Sequence, residues 1–337
     1  MASKTQKNLI WLQSGGCGGC TLSLLGANNP DVYSRFEAAN INLLWHPSLS
    51  ELSGKPVIDL FNQILDDKLE LDFLCLEGAV MRGPNGTGRF HMMSGTDEPY
   101  MNWIAKLAAK AKYVVAVGSC AAFGGITAAG DNHVEACGLA YDGVEKGGLL
   151  GGDFSSTDGL GVVNIAGCPV HPEWVTETLH QMSAGTLESD DLDEWQRPLA
   201  YTKYLVHHGC SRNEFYEYKA SAETLGNQGC MMENLGCKGT QARADCNIRP
   251  WNGVGSCIEG GYPCINCTAP GFEEAGHAYT KTPKISGIPI GLPTDMPKAW
   301  FVALASLSKA ATPERLKENA RRDHLDFVPG NKKGRSK

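Results

Sequence analysis

The sequence has no long apolar segment and no excess of positive charge. No uninterrupted apolar run approaches the roughly 18 residues that a helix needs to span a bilayer, so no transmembrane segment is expected. The 337 residues include 30 Lys and Arg against 37 Asp and Glu, which gives a formal net charge of −7. Because phosphate binding requires a basic surface, nucleic acid is excluded as the main partner.

The chain also lacks a leader pattern. Met1 to Lys7 is followed almost at once by the strand-like Leu9-Ile10-Trp11-Leu12, with no room for a signal peptide and no twin-arginine pair. We therefore expect a cytoplasmic protein, in a compartment where disulfides are rare. Thirteen cysteines in that setting favour metal binding over disulfide cross-links.

The first half of the chain alternates short apolar runs with helical patterns. This alternation is typical of a parallel sheet covered by helices on both faces, and it predicts an α/β fold with a flavodoxin-like doubly wound sheet. The predicted strands are 8–13, 41–45, 71–76, 113–117 and 161–166. The predicted helices lie near 30–39, 56–68, 99–111 and 171–183.

Loops rich in glycine and cysteine follow three of the predicted strands. Ligands of open α/β sheets bind outside the carboxyl ends of the strands, so thiols far apart in sequence should converge at one sheet edge. Four thiolates there would form a zinc or iron–sulfur site, with glycines that let backbone N–H groups approach the sulfurs. The four residues are Cys17, Cys20, Cys120 and Cys168.

The span 207–267 is dense in soft metal ligands and glycines and contains no long periodic segment. It has too few apolar side chains to build its own core, so disulfides, zinc or iron–sulfur clusters must stabilise it. The expected compartment argues against disulfides. Spacing favours His207 over His208 as the imidazole ligand. The expected ligands are His207, Cys210, Cys230, Cys237, Cys246, Cys257, Cys264 and Cys267.

An acidic run at 188–194 separates these two halves. We interpret it as a solvated connector and predict two domains, residues 1–187 and residues 195–337. The second is expected to be a smaller, irregular domain that binds iron–sulfur clusters. A segment rich in Pro and Gly covers 280–297, a further helical pattern lies near 313–325, and the basic end of the chain is expected to be solvated.

Two Cys-x2-Cys pairs, Cys17/Cys20 and Cys264/Cys267, lie far apart in the sequence. Structural zinc sites usually combine two such pairs in one small unit. Iron–sulfur clusters accept one tight pair together with remote thiolates, and imidazole can replace a thiolate. The spacing therefore favours iron–sulfur clusters over zinc.

The number of ligands predicts more than one cluster. Cys75 and Cys137 are interpreted as packing residues, because one ends a predicted strand and the other lies in a glycine-rich loop. Eleven cysteines and His207 are left, which makes three sets of four ligands. Three clusters in one chain are typical of an electron-transfer relay.

These residues resemble the small, electron-transferring subunit of [NiFe] hydrogenases along most of the chain. The resemblance depends on an ordered set of motifs, each of which is weak alone. The motifs are Trp11-Leu12-Gln13 before Cys17-x2-Cys20, Leu76-Glu77-Gly78, Gly118-Ser119-Cys120, Gly167-Cys168-Pro169, His207-x2-Cys210, Leu235-Gly236-Cys237-Lys238-Gly239, Cys246 with Trp251-Asn252, and Pro263-Cys264-Ile265-Asn266-Cys267.

The resemblance implies three clusters in this chain and a separate large partner. Catalysis would occur at a nickel–iron centre in that large subunit, and this chain would pass the electrons of H2 outward to an acceptor that the residues do not identify. A dimer of large/small pairs is expected. The implied sets are a proximal [4Fe–4S] cluster on Cys17, Cys20, Cys120 and Cys168, a distal [4Fe–4S] cluster on His207, Cys210, Cys230 and Cys237, and a medial cluster on Cys246, Cys264 and Cys267.

Three departures from the family refine this expectation. Many members have proline where this sequence has Cys257, and their medial cluster is a three-ligand [3Fe–4S]; Cys257 should therefore supply the fourth ligand of a medial [4Fe–4S] cluster. Gly19 and Gly125 replace two extra cysteines of an oxygen-tolerant membrane-bound group, so its unusual proximal cluster should be absent. The missing leader and anchor resemble the soluble cytoplasmic groups, including uptake and high-affinity types.

Two other functions compete with this interpretation. A quinone-reductase-type iron–sulfur chain with a related N-terminal half needs only the proximal set, so the span 207–267 speaks against it. A zinc-stabilised scaffold would be colourless, whereas iron–sulfur clusters are brown. Glu77 is expected beside the proximal cluster, either as a satisfied carboxylate at a strand end or as a group that tunes the cluster or relays protons.

Overall fold

The computed structural model of the chain describes residues 6–28, 30–274, 276–277, 279–285, 288–289 and 297–323. The chain divides into two compact units. The first comprises Met1–Thr202 and Cys267–Ala275, and the second comprises Lys203–Asn266 and Gly276–Lys337. The acidic run at 188–194 therefore belongs to the first unit.

The first unit contains every strand longer than two residues in the described part of the chain. The described strands are β1 (Lys7–Gln13), β2 (Ile41–Trp45), β3 (Phe73–Glu77), β4 (Val80–Met81), β5 (Tyr113–Val117), β6 (Ala136–Cys137), β7 (Tyr141–Asp142), β8 (Glu145–Lys146), β9 (Val163–Ile165), β10 (Lys284–Ile285) and β11 (Ile288–Pro289).

The helices of both units are mostly short. The described α-helices are α1 (Gly19–Leu25), α2 (Val32–Ala38), α3 (Lys55–Leu65), α4 (Tyr100–Ala108), α5 (Ser119–Phe123), α6 (Gly125–Ala128), α7 (Pro172–Ala184), α8 (Leu199–Thr202), α9 (Asn213–Glu217), α10 (Met232–Leu235), α11 (Lys298–Ala311) and α12 (Glu314–Ala320). Two 3₁₀ helices cover Ser189–Asp191 and Val206–Gly209.

The five longer strands form one parallel sheet in the order β2-β1-β3-β5-β9. Counted along the five strands, this order is 2-1-3-4-5, which is the flavodoxin-like arrangement of doubly wound sheets. The order of strands reverses between β1 and β3, so the topological switch point lies there. The sheet confirms the predicted fold class.

Both faces of this sheet are buried, as expected for parallel strands with near-continuous apolar sequences. Every residue of β3 and β5 is buried. Successive side chains of β1 point to opposite faces. Ile10 and Leu12 share a core cluster with residues of α3 and α4, where the rings of Phe61 and Trp103 are 6.1 Å apart. Helix α7 packs against α1 and α2.

Three strands differ from the bounds that the sequence predicts, and β1 differs only by beginning one residue earlier, at Lys7. β3 was expected at 71–76, but the carboxylate of Asp72 accepts the Asn8 N–H at 2.8 Å, and regular pairing begins one residue later. β9 was expected at 161–166 and covers only Val163–Ile165. It is the edge strand of the sheet, and it pairs with β5 along just those three residues.

Helix α11 was not predicted from the sequence. Its buried residue is Phe301, whereas Trp300 and Leu307 are about two-thirds exposed, so its apolar residues do not form a single face. The helical pattern expected near 313–325 is present as the shorter α12.

The second unit has little apolar core of its own in its described part. Tyr216 and Met232 pack on Phe301 of α11, and Ala220 packs on Leu316 and Ala320 of α12 in a separate cluster. Both clusters join the span 207–267 to the helices that follow it in the chain.

No disulfide links any of the cysteines, since all thirteen are free thiols. No helix of the described ranges is long and apolar enough to cross a membrane.

A buried ion pair joins the segment Cys267–Ala275 to the rest of the first unit. Arg197 donates to the carboxylate of Asp193 from Nε at 2.9 Å and from Nη2 at 2.7 Å, and both side chains are 3% exposed. Its Nη1 donates to the carbonyl of Thr268 at 2.7 Å. One guanidinium therefore satisfies a buried carboxylate and fixes the position of the residue after Cys267.

Replacing Arg197 with Leu should lower the free energy of unfolding by about 3–5 kcal/mol, because it leaves the Asp193 carboxylate buried and unpaired. Denaturant unfolding of the purified protein measures the change. Arg315→Leu is the matched control, since Arg315 forms an exposed pair with Glu214 at 3.8 Å and should cost less than about 1 kcal/mol. Equal losses in the two variants would contradict a structural role for Arg197.

Candidate functional site

The sheet-edge set, which consists of Cys17, Cys20, Cys120 and Cys168, lies at the carboxyl ends of three strands. Cys17 and Cys20 follow β1, and Cys20 is in the first turn of α1. Cys120 is in the first turn of α5, directly after β5, and Cys168 follows β9. The sheet therefore positions all four residues at one edge, as the strand pattern predicts.

Burial and neighbouring thiols both raise the pKa values of Cys20 and Cys168. Burial raises the pKa of Cys20, and negative charge on Cys120 and Cys168 raises it further. Burial likewise raises the pKa of Cys168 to about 12, with contributions from Cys120, Cys267 and Cys17. Thiols in such surroundings keep their protons unless a cation replaces them, and a bound metal provides that cation.

Glycines leave room for the sulfurs. Gly118 has φ +85°, and a Cβ at this position would lie 2.5 Å from Sγ of Cys20. Gly125 has φ +50°, and its Cβ would lie 3.0 Å from Sγ of Cys120. At both positions the backbone has a conformation that L residues rarely adopt. A side chain there would also occupy the space next to a cysteine sulfur, so both positions require glycine.

Ser119 connects three of the segments around the sheet-edge set. Its hydroxyl accepts the N–H of Gly167 at 2.9 Å, next to Cys168, and donates to the carbonyl of Cys267. Since Ser119 precedes Cys120, this one side chain fixes the spacing between the loops after β5 and β9.

Glu77, the last residue of β3, receives five hydrogen bonds at this edge. Its carboxylate accepts from Nε1 of Trp11 at 3.2 Å, Nε2 of Gln13 at 3.0 Å, and the backbone N–H groups of Cys20 and Thr21 at 3.0 Å each. The Thr21 hydroxyl is the fifth donor. Glu77 is 4% exposed, so one buried carboxylate fixes the start of α1 and with it the position of Cys20.

A second group of ligand side chains lines a cavity in the second unit. We call it the His207 cavity. His207 lies on the 3₁₀ helix Val206–Gly209 and Cys210 follows that helix, while Cys230 and Cys237 lie on either side of α10. All four predicted members of this set line the cavity, and so does Arg212.

The sulfurs of the His207 cavity are buried and accept backbone hydrogen bonds. Burial raises the pKa of Cys230 to about 12, and negative charge on Cys237 and Cys210 adds to this shift. Arg212 N–H donates to Sγ of Cys210 at 3.4 Å, and Cys264 N–H donates to Sγ of Cys237 at 3.3 Å. These bonds favour the thiolate, which is the form that binds metal.

The two adjacent histidines have different surroundings. His207 lines the cavity, and its ring centroid is 4.2 Å from that of Tyr216. His208 uses Nδ1 to accept the backbone N–H of Leu205 at 3.2 Å, within its own helical turn. The geometry therefore leaves His207 as the imidazole that faces the three thiols.

The remaining four predicted ligands are divided between the two units. Cys246, Cys257 and Cys264 belong to the second unit, and Cys267 belongs to the first. Asn266 N–H donates to Sγ of Cys264 at 3.4 Å. Cys257 is exposed, and the other three are partly buried.

The ligand groups fit clusters better than single ions. In the described ranges, no three His, Cys, Asp or Glu side chains are close enough to hold one metal ion. A tetrahedral zinc site with Zn–S distances of about 2.3 Å would place its sulfurs only about 3.8 Å apart. Each predicted set instead combines ligands from distant parts of the chain, an arrangement that iron–sulfur clusters accept.

One residue that lines the His207 cavity has an unused hydrogen-bond donor. Nη2 of Arg212 is buried and has no hydrogen-bond partner in the described part of the chain. A cluster with sulfur acceptors would provide one. The sequence analysis did not identify Arg212, although it lies only two residues after Cys210. Its position depends on the hydrogen bonds of Nη1 to the carbonyls of Asn227 and Gly229, which the sequence does not reveal.

Cys75 and Cys137 lie outside both groups. Both are fully buried, Cys75 in β3 between Trp11 and Val115 on the neighbouring strands, and Cys137 in β6 opposite Val80. Burial raises the pKa of Cys137 to about 11.

Two family models match successive parts of the chain. The model described as NADH ubiquinone oxidoreductase, 20 Kd subunit, matches residues 17–182. The model that describes the C-terminal part of the NiFe/NiFeSe hydrogenase small subunit matches residues 202–280.

Curated relatives and solved structures point to the same family as the hydrogenase small-subunit model. The chain is 35% identical over 299 residues to the F420 non-reducing hydrogenase II small subunit of Methanosarcina mazei, covering 80% of this chain and 74% of that protein. It is 32% identical to the periplasmic [NiFeSe] hydrogenase small subunit of Desulfomicrobium baculatum, covering 79% and 84%. The actinobacterial-type NiFe-hydrogenase of Ralstonia eutropha H16 matches with a TM-score of 0.73 and 30% identity, covering 91% and 90%.

Fold, ligand groups and relatives together define an oxidoreductase. More specifically, the chain belongs to the small-subunit family of NiFe hydrogenases. The quinone-reductase-type alternative is not favoured, because its family model ends before the His207 cavity begins.

Glu77→Gln should lower the free energy of unfolding by about 1–3 kcal/mol, since an amide cannot accept all five donors and leaves some of them buried and unpaired. It should also release iron from the sheet-edge set faster under a chelator. Glu98→Gln, which breaks a half-buried pair with Lys106, is the control and should change neither quantity to this extent. Unchanged stability and iron release in Glu77→Gln would show that the carboxylate does not position Cys20.

Proposed function

We propose that this chain carries electrons from H2 oxidation in a large partner subunit, which holds the nickel–iron centre, to an external acceptor. The observation that carries the proposal is the presence of two separate groups of thiols, most of them partly buried, one at the sheet edge and one in the His207 cavity, in a hydrogenase small subunit. Bound iron–sulfur clusters would supply one-electron redox chemistry at these positions.

Three ligand sets follow from the resemblance. The fit is supported at two of the sets by buried neighbouring thiols, by glycine positions that leave space for sulfur, and by N–H groups directed at the sulfurs. The sets are Cys17, Cys20, Cys120 and Cys168 for a proximal [4Fe–4S] cluster, His207, Cys210, Cys230 and Cys237 for a distal one, and Cys246, Cys257, Cys264 and Cys267 for a medial one.

The medial set is the one in which this chain departs from many relatives. A thiol at position 257 provides a fourth ligand, so the medial cluster is [4Fe–4S] rather than the three-ligand [3Fe–4S]. A thiolate at the fourth iron also keeps that iron from being lost on oxidation.

The proposal extends to the cellular setting. Thirteen free thiols suit a reducing compartment, so we place the enzyme in the cytoplasm as an uptake or high-affinity hydrogenase that assembles as a dimer of large/small pairs. Several relatives are named as periplasmic enzymes, and cell fractionation separates the two locations.

Metal and sulfide analysis of the purified complex tests the relay. About twelve irons and a similar amount of acid-labile sulfide in this subunit, with no oxidised [3Fe–4S] signal in EPR, are expected for three four-iron clusters. About eleven irons with that signal would return the medial site to three ligands. Zinc without sulfide would reject the relay altogether.

Cys257→Ser should weaken the medial cluster or convert it to a three-iron form, because a hydroxyl is a poor substitute for a thiolate ligand. EPR of the oxidised complex should then show a [3Fe–4S] signal, while the signals of the other two clusters stay unchanged. Cys137→Ser removes a buried thiol outside the three sets and is the matched control. Spectra of Cys257→Ser identical to the parent's would remove Cys257 from the ligands.

A further inference from the structure

The His207 cavity contains one charged side chain that the proposed ligand set does not use. Arg212 is 4% exposed and lines the cavity together with the four proposed ligands. A guanidinium is always protonated in proteins, so its positive charge is fixed at this position.

One nitrogen of Arg212 connects the two ligand loops. Nη1 donates to the carbonyls of Asn227 at 2.5 Å and Gly229 at 2.8 Å, and Gly229 directly precedes Cys230. The backbone N–H of the same residue donates to Sγ of Cys210 at 3.4 Å. Arg212 therefore determines how the loop around Cys230 faces the loop around Cys210.

The other terminal nitrogen has no partner in the described chain. Nη2 is buried and has no hydrogen bond within the described ranges, and Arg212 lines the cavity. The thiols of Cys210, Cys230 and Cys237 act electrostatically on the guanidinium when they are ionised. Burying a charged donor without an acceptor is costly, and native proteins rarely do so. The described part of the chain therefore supplies no acceptor for Nη2, and we assign the acceptor to what the cavity binds.

We propose that Arg212 is a positioning residue for the distal cluster, in which Nη2 donates a hydrogen bond to a sulfur and the fixed charge stabilises the reduced state. This inference rests on the proposed function. Reduction adds one electron to the site, breaks no bond and makes the site more negative by one charge. A neighbouring cation and a hydrogen bond to sulfur both favour that state, so both raise the reduction potential.

Redox titration of the complete large/small complex, followed by EPR, tests this role. The distal signal is identified by the nitrogen coupling of its histidine ligand in pulsed EPR. Arg212→Gln removes the charge but keeps a donor for a carbonyl, and the distal midpoint potential should shift downward. Arg212→Lys keeps the charge and should stay nearer the parent. The proximal and medial potentials should not move.

Arg315→Gln is the matched control. It removes one positive charge from an exposed position in the same unit, where the side chain is 69% exposed. The distal potential of this variant should equal that of the parent, because solvent screens a charge at the surface.

The outcomes separate this inference from the proposed function. If the distal cluster of Arg212→Gln has the same midpoint potential as that of the parent, the proposed role of Arg212 is wrong. If that variant loses the cluster, Arg212→Lys decides: retention near the parent's potential supports the role of the charge, and loss of the cluster there as well overturns it. A parent complex without any histidine-coupled cluster signal rejects the distal cluster itself, whatever Arg212 does.

Discussion

The burial of ligand thiols is the constraint on which the rest of this structure depends. Burial raises the pKa of Cys20, Cys168 and Cys230, so the protein alone favours protonated sulfur at both sites. Metal binding requires thiolates, and a cation must therefore offset a cost that the fold creates. The backbone N–H groups on the sulfurs of Cys210 and Cys237 reduce that cost without removing it.

The two units position their thiols by different means. In the first, the parallel sheet fixes the strand ends, and Glu77 binds donors from β1 and α1 so that Cys20 has one position relative to the sheet. In the second, the described apolar clusters are small, and hydrogen bonds from Arg212 to the carbonyls of Asn227 and Gly229 perform the same task. The site in the first unit follows from its core, whereas the site in the second depends on a few polar contacts.

This difference explains how much could be predicted from the sequence. The fold class and the convergence of the sheet-edge thiols could be predicted because parallel strands end at one edge and alternate with helices. The contacts of Glu77 could not, since its donors on Trp11, Cys20 and Thr21 lie more than fifty positions away in the chain. Helix α11 was missed because its apolar residues form no single face.

The two sites differ in the sign of the charged side chains near their sulfurs, and this difference matches the direction of the proposed relay. At the sheet edge, the fixed charge that acts on Cys20 is the carboxylate of Glu77, which disfavours added negative charge. In the His207 cavity, Arg212 faces the sulfurs, and Lys219, whose Nζ is 3.8 Å from the ring centroid of Tyr216, acts on Cys230. A carboxylate lowers and a cation raises the potential of a nearby redox group. For the proposed relay, these charges favour electron movement from the sheet-edge set toward the His207 cavity, through the effect of side chains that bind no metal.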